Sequence, residues 1–254
     1  MSRAVTGIAA PQSPPPLARG DALFIDFDGT LVEIAAMPDR VEVMAGVPAL
    51  LQRAAVRLGG ALAVISGRPL AELGRFLAGY TGAAAGIHGL ERRSASGETH
   101  VPTPDPVLDL VWPVVRQFAA VTQGVLIEDK RLSIAIHYRG RPELAEACRR
   151  LAEQAVILSK ERLAMRPGKM VVELHPRDVD KGRAVRAFLA EPEFAGRRPV
   201  FVGDDRTDED GFAFVNEHGG ISVHVGTADD TFARYRLDGV DAVIRWLEDF
   251  LAEG

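Results

Sequence analysis

Apolar and polar positions along this 254-residue chain follow two rhythms. In the first, short continuous apolar runs at 22–25, 61–65, 83–87, 199–202 and 221–225 each end in a polar or Gly-containing turn. Runs of this length without alternation predict strands buried on both faces. Between them, apolar residues recur at helical spacing. Val47, Leu50, Leu51, Ala54 and Leu58 predict a helix, with Pro48 near its first turn, where proline is tolerated, and Gly59-Gly60 as its stop. Leu70, Leu73, Phe76 and Leu77 predict a second. Further helices are predicted over 182–189 and 212–215, and a terminal one carries Val240, Val243, Ile244, Leu247 and Leu251. Strands alternating with helices predict an α/β fold with a Rossmann-like parallel sheet.

The second rhythm occupies residues 103–175. Asp105-Pro106 offers a cap and a first-turn proline to a helix marked by Val107, Val111, Val114, Val115 and Phe118. Strands at 124–129 and 132–137 flank Lys130-Arg131. A second helix over 142–159 turns Leu144, Cys148, Leu151 and Ala155 inward. Strands at 161–165 and 170–174 flank Pro167-Gly168. Hairpins cannot join a parallel sheet as crossovers. The segment is therefore expected to be a smaller inserted α+β domain, an antiparallel sheet covered by two helices. It would split a core formed by 21–102 and 176–254. Residues 92–104 read as a polar excursion with a turn at Ser96-Gly97. Residues 1–20, with Pro11, Pro14, Pro15 and Pro16, read as a disordered Pro-rich lead-in and a poor signal peptide.

Composition narrows the classes. With 47% hydrophobic and 26% charged residues the chain is of ordinary globular composition. A net charge of -5 gives no electrostatic case for nucleic acid. No apolar run approaches the roughly 20 residues of a membrane helix. The single cysteine, Cys148, cannot form an internal disulfide and reads as a buried structural thiol. A monomeric, cytoplasmic protein with a small-molecule partner, and neither nucleic acid nor membrane, is expected.

Parallel sheets bind ligands beyond the carboxyl ends of their strands. The predicted strand ends deliver Asp26 and Asp28, Ser66 and Arg68, His88 and Glu91, and an acid-rich run from Asp204 to Asp210. Asp26 and Asp28 are costly to bury unless compensated, and a hard divalent cation is the obvious compensator. Alternation sends the two side chains to opposite sides of the backbone, where they can do different jobs. The plainer alternative is ordinary Asp-Gly turn chemistry. For Asp204–Asp210 the alternatives are acids at a helix N-terminus or a calcium loop. The calcium loop fails because Arg206 falls at its first ligand position and a strand precedes it. A metal site shared with Asp26 fits better.

Asp26-Phe-Asp28-Gly-Thr-Leu, a strand ending in Ser66, Lys181 before a helix, and Gly203-Asp204-Asp205, in that order, resemble the haloacid dehalogenase superfamily of phosphotransferases. Ser66-Gly-Arg68, Gly86-Ile-His88-Gly-Leu-Glu91, Glu128-Asp-Lys130, Arg166-Pro-Gly-Lys169-Met-Val-Val-Glu173 and Gly-Asp-Asp-Arg-Thr-Asp-Glu narrow the resemblance to the trehalose-phosphatase family, from about residue 21 onward. His175 stands where a basic residue is commoner. The resemblance implies a superfamily-type core with an inserted cap, and a magnesium-dependent phosphatase acting on a sugar phosphate through an aspartyl-phosphate. Asp26 would be nucleophile and metal ligand, and Asp28 the proton carrier with its main-chain carbonyl on the metal. Ser66 and Lys181 would hold the phosphoryl group. Asp204 would be a metal ligand, and Asp208 would hold the metal site or Lys181. Arg68, His88 and Glu91 would face the sugar from the core, and Glu128, Lys130, Lys169 and Glu173 from the cap. Each has a plainer reading: Ser66 as a helix cap, Lys181 as a solvated helix start, His88 as a satisfied strand-end histidine, the cap residues as surface charge. Other sugar phosphatases, phosphomutases and non-catalytic regulatory domains share parts of this pattern.

Overall fold

In the computed structural model, which describes residues 12–35, 40–168, 170–227 and 230–252, strand β1 (Asp21–Ile25) is buried along its whole length. Its neighbours are β2 (Leu62–Ile65) on one side and β10 (Arg198–Gly203) on the other, both parallel to it. The chain leaves β1 through α1 (Val47–Arg57), β2, α2 (Leu70–Phe76) and β3 (Ala83–Gly86), always in one direction along the sheet. Two short antiparallel strands, β4 (Glu91–Arg93) and β5 (Thr99–His100), finish that edge. The expected polar excursion at 92–104 is thus partly sheet, held by main-chain pairing that its polar side chains do not signal.

The chain then enters the second unit: α3 (Val107–Val121), β6 (Leu126–Asp129), β7 (Ile134–His137), α4 (Ala145–Leu158), β8 (Leu163–Gly168) and β9 (Val171–Pro176). Its four strands form an antiparallel sheet in the order β6-β7-β9-β8. Asp105 Oδ1 accepts a hydrogen bond from Val107 N at 2.9 Å, which caps α3. One face of this sheet, with Ile134, Ile136, Val172 and Leu174, packs with α3 and α4 into a hydrophobic cluster separate from the core's. Cys148 lies in that cluster. Alternation along the strands leaves the opposite face to the cleft.

Returning to the first sheet, α5 (Lys181–Leu189) leads to β10, then α6 (Glu209–Glu217), β11 (Ile221–Val225), β12 (Tyr235–Leu237) and α7 (Val240–Ala252). The eight strands run β12-β11-β10-β1-β2-β3-β4-β5. From β1 the order moves outward in both directions. Right-handed crossovers then put α1 and α6 on opposite faces and open a crevice between the carboxyl ends of β1 and β10.

β12 carries no apolar run, and its pairing with β11 came from the tertiary structure alone. It also overturns part of the disorder expected for 1–20. Gln12 bridges Tyr235, Trp246 Nε1 donates to Pro15 O at 3.2 Å, and Leu17 is buried. The Pro-rich segment is anchored by α7 and by an edge strand in need of a partner, neither of which is local to it. Residues 1–11 lie outside the described residues.

Phe24 of β1 and Phe188 of α5 meet Phe194, all fully buried, with centroid distances to Phe194 of 5.5 and 5.3 Å. This cluster fixes α5, and with it Lys181, against the central strand. Phe194→Ala is expected to cost about 3–5 kcal/mol, read as a lower urea midpoint by circular dichroism. A loss under about 1 kcal/mol would mean that other contacts hold α5 in place.

Candidate active site

Strands β1 and β10 are in register, Ile25 opposite Val202, and Asp26 N donates to Val202 O at 2.9 Å. The residues just past both strands, Asp26 and Asp204, are therefore neighbours. Between the strand ends stands Lys181, the first residue of α5, whose N-cap is Asp180 with Oδ1 accepting from Arg183 N. The Lys181 side chain is 3% exposed and donates to Asp26 Oδ1 at 2.7 Å and to Asp208 Oδ1 at 2.6 Å. Asp208 Oδ2 accepts from the main-chain N–H groups of Asp204 and Asp205 at 3.0 and 3.1 Å. One carboxylate thus folds the acidic loop and orients the lysine. Two glycines make room. A Cβ on Gly203 would lie 2.2 Å from Asp208 Cγ, and one on Gly29, at φ +81°, would lie 2.0 Å from Asp204 Oδ2.

Asp26, Asp204 and Asp208 each offer an oxygen within 4.8 Å of the other two. Lys181 is one cation against these three acids and Asp205. Burial pushes Asp26 well above the ordinary carboxyl range, Lys181 pulls it back, and Asp208 and Asp204 push it further. Burial, with repulsion from Asp208 and Asp205, raises Asp204 to about 8. Burial raises Asp208 to about 6 against the pull of Lys181. Burial alone would lower the Lys181 ammonium, but Asp208 and Asp26 outweigh it and raise it. A cluster of hard oxygen donors whose anionic forms lack charge compensation fits a divalent metal ion.

Asp28 points elsewhere. Arg68 grips it through two bonds, Nε to Oδ2 and Nη2 to Oδ1, both 2.7 Å. The guanidinium lies over Phe76, 5.0 Å from the ring centroid, and over Phe27 at 5.7 Å. The alternation of Asp-x-Asp therefore separates the two acids, one to the lysine and one to the arginine. Ser66, at the end of β2, is buried, and its Oγ accepts from Arg68 N at 3.1 Å, which leaves its own proton to donate.

His88 follows β3 in a single 3₁₀ turn, where Ile87 and His88 take left-handed backbone angles, φ 46° and 55°. Such angles cost of order 1–3 kcal/mol per residue. They bring the imidazole over the cleft, with Nε2 3.5 Å from Glu173 Oε2 of the second sheet. Burial lowers the His88 pKa to about 4, with the Glu173 hydrogen bond opposing. Glu91 is spent otherwise: Oε2 accepts from Leu70 N at 2.7 Å, a cap on α2, and the residue is absent from the cleft wall.

The second sheet supplies the roof. Its register pairs Glu128 with Ala135, Ala135 with Glu173 and Glu173 with Arg166, so these residues share the cleft face. Glu173 lies mid-strand on β9, and Glu128 within β6, rather than at hairpin tips. Glu173 Oε1 accepts from Ser133 Oγ at 2.6 Å, and Oε2 lies 3.5 Å from Lys130 Nζ. Burial acts to raise the Glu173 pKa, but the bonds to His88, Lys130 and Ser133 win and lower it. Lys130 Nζ also reaches Gly67 O at 3.4 Å, across to the first sheet. Lys169 lies outside the described residues. Asp26, Asp28, Ser66, Arg68, His88, Glu128, Lys130, Glu173 and Lys181 line one cleft of about 1070 Å³. Sequence reasoning gave no role to Asp205, Arg166 or His137, which also line it, although the first two stand in the motifs quoted above. Strand alternation from Glu128 and Glu173 carries the signal for the last two, once the hairpin registers are known.

The family model for trehalose-phosphatase matches residues 24–241. The chain is 43% identical over 235 residues to the trehalose-6-phosphate phosphatase of Escherichia coli strain K12, covering 92% of this chain and 88% of that protein. The solved C-terminal domain of Candida albicans trehalose-6-phosphate phosphatase superposes with a TM-score of 0.79 at 22% identity, covering 97% of this chain and 99% of that one. A haloacid dehalogenase-like hydrolase from Bacteroides thetaiotaomicron shares the fold at a TM-score of 0.65 and 18% identity, over 90% and 98% of the two chains. A match running from β1 to α7, over both sheets and the loops between them, means that the chain belongs to the trehalose-phosphatase family.

Proposed function

We propose that the cleft hydrolyses trehalose 6-phosphate to trehalose and inorganic phosphate, through a phosphoryl group carried on Asp26. The observation that carries this reading is the pairing of two chemistries across one cleft. Below is a lysine-held nucleophile beside an acid cluster fit for a metal; above is a sheet face with two carboxylates and an ammonium. The family and the E. coli relative supply the sugar.

Each group has a task that its surroundings support. Asp26 Oδ attacks phosphorus; the new P–O bond forms as the ester bond to the sugar's O6 breaks. Asp28 gives its proton to the departing O6, then takes one from the water that attacks the aspartyl-phosphate, which restores the Asp26 carboxylate. Ser66 Oγ–H and Lys181 Nζ donate to phosphoryl oxygens. Magnesium, when bound by Asp26, Asp204 and Asp208, neutralises charge on the phosphoryl group. Glu128, Lys130 and Glu173 read sugar hydroxyls, since a polar group that a wrong ligand buries and leaves unpaired rejects that ligand strongly. The 103–175 segment acts as a cap that excludes water before proton transfer. No described helix is long and apolar enough to cross a membrane, and the lone buried thiol supports a cytoplasmic setting.

Phosphate release from trehalose 6-phosphate, with and without magnesium, tests the reaction. Asp26→Asn is expected to cost at least about a thousandfold in kcat; unchanged release would overturn Asp26 as the nucleophile, and release no faster than in buffer alone from the wild type would make this a binding module. Transfer of phosphate to a second sugar instead of water would indicate a mutase. Preference for another phosphorylated sugar would overturn the substrate.

Glu173→Ala or Lys130→Ala is expected to lower kcat/KM for trehalose 6-phosphate at least about tenfold more than for p-nitrophenyl phosphate. Equal losses on both esters would argue against a sugar-reading cap.

His88 makes one separable contribution to the pH dependence of stability. Its folded pKa of about 4 lies below the ordinary 6.5. Between these values the unfolded chain binds more protons than the folded one, so stability falls as pH drops through that window. The fall is on the order of 3 kcal/mol. Glu173, whose pKa is lowered, adds stability above the ordinary carboxyl pKa that is lost on further acidification. The raised carboxyls Asp26, Asp204 and Asp208 act in the opposite direction over the same window, so the His88 part is read as a difference: from pH 7 to 4.5 the melting temperature of the wild type is expected to fall relative to that of His88→Asn. Parallel shifts in both proteins would remove His88 from this role.

A further inference from the structure

Strand β7 places two side chains on the cleft face that the mechanism above leaves without a task. Ser133 precedes its first residue and His137 is its last. Four residues apart on extended chain, they point the same way. Each bonds one carboxylate of a neighbouring strand: Ser133 Oγ donates to Glu173 Oε1 at 2.6 Å, and His137 Nε2 lies 2.8 Å from Glu128 Oε2. The two carboxylates differ in how much else holds them. Glu173 is buried, with His88 and Lys130 also within 3.5 Å. Glu128 lies on β6, the edge of the sheet, and its side chain is 39% exposed.

We propose that His137 is a positioning residue, which holds the Glu128 carboxylate in the one orientation that reads the sugar. The inference rests on the proposed sugar-reading role of Glu128. The register sets Leu126 opposite His137 and Glu128 opposite Ala135, so His137 is the diagonal neighbour of Glu128, within reach of a long side chain. The hydrogen bond from His137, opposed by burial, holds Glu128 below the usual carboxylate range. An ionised carboxylate only accepts, so Nε2 carries the proton and donates it. One oxygen is occupied and Oε1 is left for a ligand. A free glutamate on an edge strand has among the largest rotamer freedoms of any side chain. Binding a sugar hydroxyl through it would require that freedom to be lost at each encounter, and the histidine removes it beforehand. At this exposure the pair contributes little to folding, so its effect falls on binding.

The test is a double-mutant cycle on the full chain. KM and kcat are measured on trehalose 6-phosphate and on p-nitrophenyl phosphate for the wild type, Glu128→Ala, His137→Ala, His137→Gln and the Glu128→Ala/His137→Ala double variant. His137→Ala is expected to raise KM for trehalose 6-phosphate about five- to tenfold with kcat within about twofold, the loss being smaller on p-nitrophenyl phosphate. In the Glu128→Ala background the same change should move KM by less than about twofold, because the residue it positions is gone. Glutamine, whose amide N–H can still donate, should recover most of the loss. Independent, additive effects would mean that His137 meets the sugar itself, and would overturn the proposal. So would an equal loss on both substrates, or no rescue by glutamine. If Glu128→Ala leaves KM for trehalose 6-phosphate unchanged, the sugar-reading role of Glu128 falls first. If Glu128→Ala raises it and His137→Ala does not, only the positioning role falls. Should His137→Ala fail to fold, His137→Phe, which keeps a ring of similar size and lacks the donor, takes its place in the cycle, alone and with Glu128→Ala.

Discussion

The Lys181 ammonium, buried between Asp26 and Asp208, is the interaction on which the rest of this molecule is arranged. Taking one cation and several acids out of water is expensive, and a buried pair is no proof of stability. Removing one partner from such a set strands a charge, at about 3–5 kcal/mol. The core is built so that no partner can drift. Asp26 is fixed by β1, Lys181 by the start of α5, and Asp208, just before α6, by the main-chain N–H groups of Asp204 and Asp205. The same rigidity points the Asp26 carboxylate and leaves a surplus of negative charge that suits a metal ion.

The second sheet solves a different problem. Its residues must be polar toward the cleft and apolar toward α3 and α4, and a strand delivers both through its two-residue period. Glu128, Glu173, Arg166 and His137 face the cleft, while Ile134, Ile136, Val172 and Leu174 face the helices. The polar links between the two sheets include Lys130 to Gly67 and Glu173 to His88. Those links carry the residues that the proposed mechanism asks to read the substrate, so ligand and cap position are coupled by the same side chains.

Much of this was legible in the order of residues. Continuous apolar runs gave β1, β2, β3, β10 and β11, because a strand buried on both faces has no polar alternative. Asp26, Asp28, Ser66, Lys181 and Asp204 stood out because each follows such a run or opens a helix. Less legible were β4, β5 and β12, whose pairing is a main-chain property, and the anchoring of residues 12–17, which depends on Trp246 and Tyr235 far along the chain. Glu91 and Arg68 belonged to a recognised motif. Which group each side chain bonds was not written there: one caps α2 and the other clamps Asp28.

By itself, then, the sequence determined the parallel core, the inserted antiparallel sheet, and the types of residue that leave each strand, because burial and periodicity act on nearest neighbours in the chain. Tertiary structure alone decided which of those residues meet. Lys181 lies 155 positions from Asp26, and Ser133 lies 40 from Glu173. Register between strands, the strained turn at Ile87–His88 and the glycines under Asp204 and Asp208 bring them within hydrogen-bond reach. Distances of that kind depend on how separate elements fit together, and no local pattern encodes them.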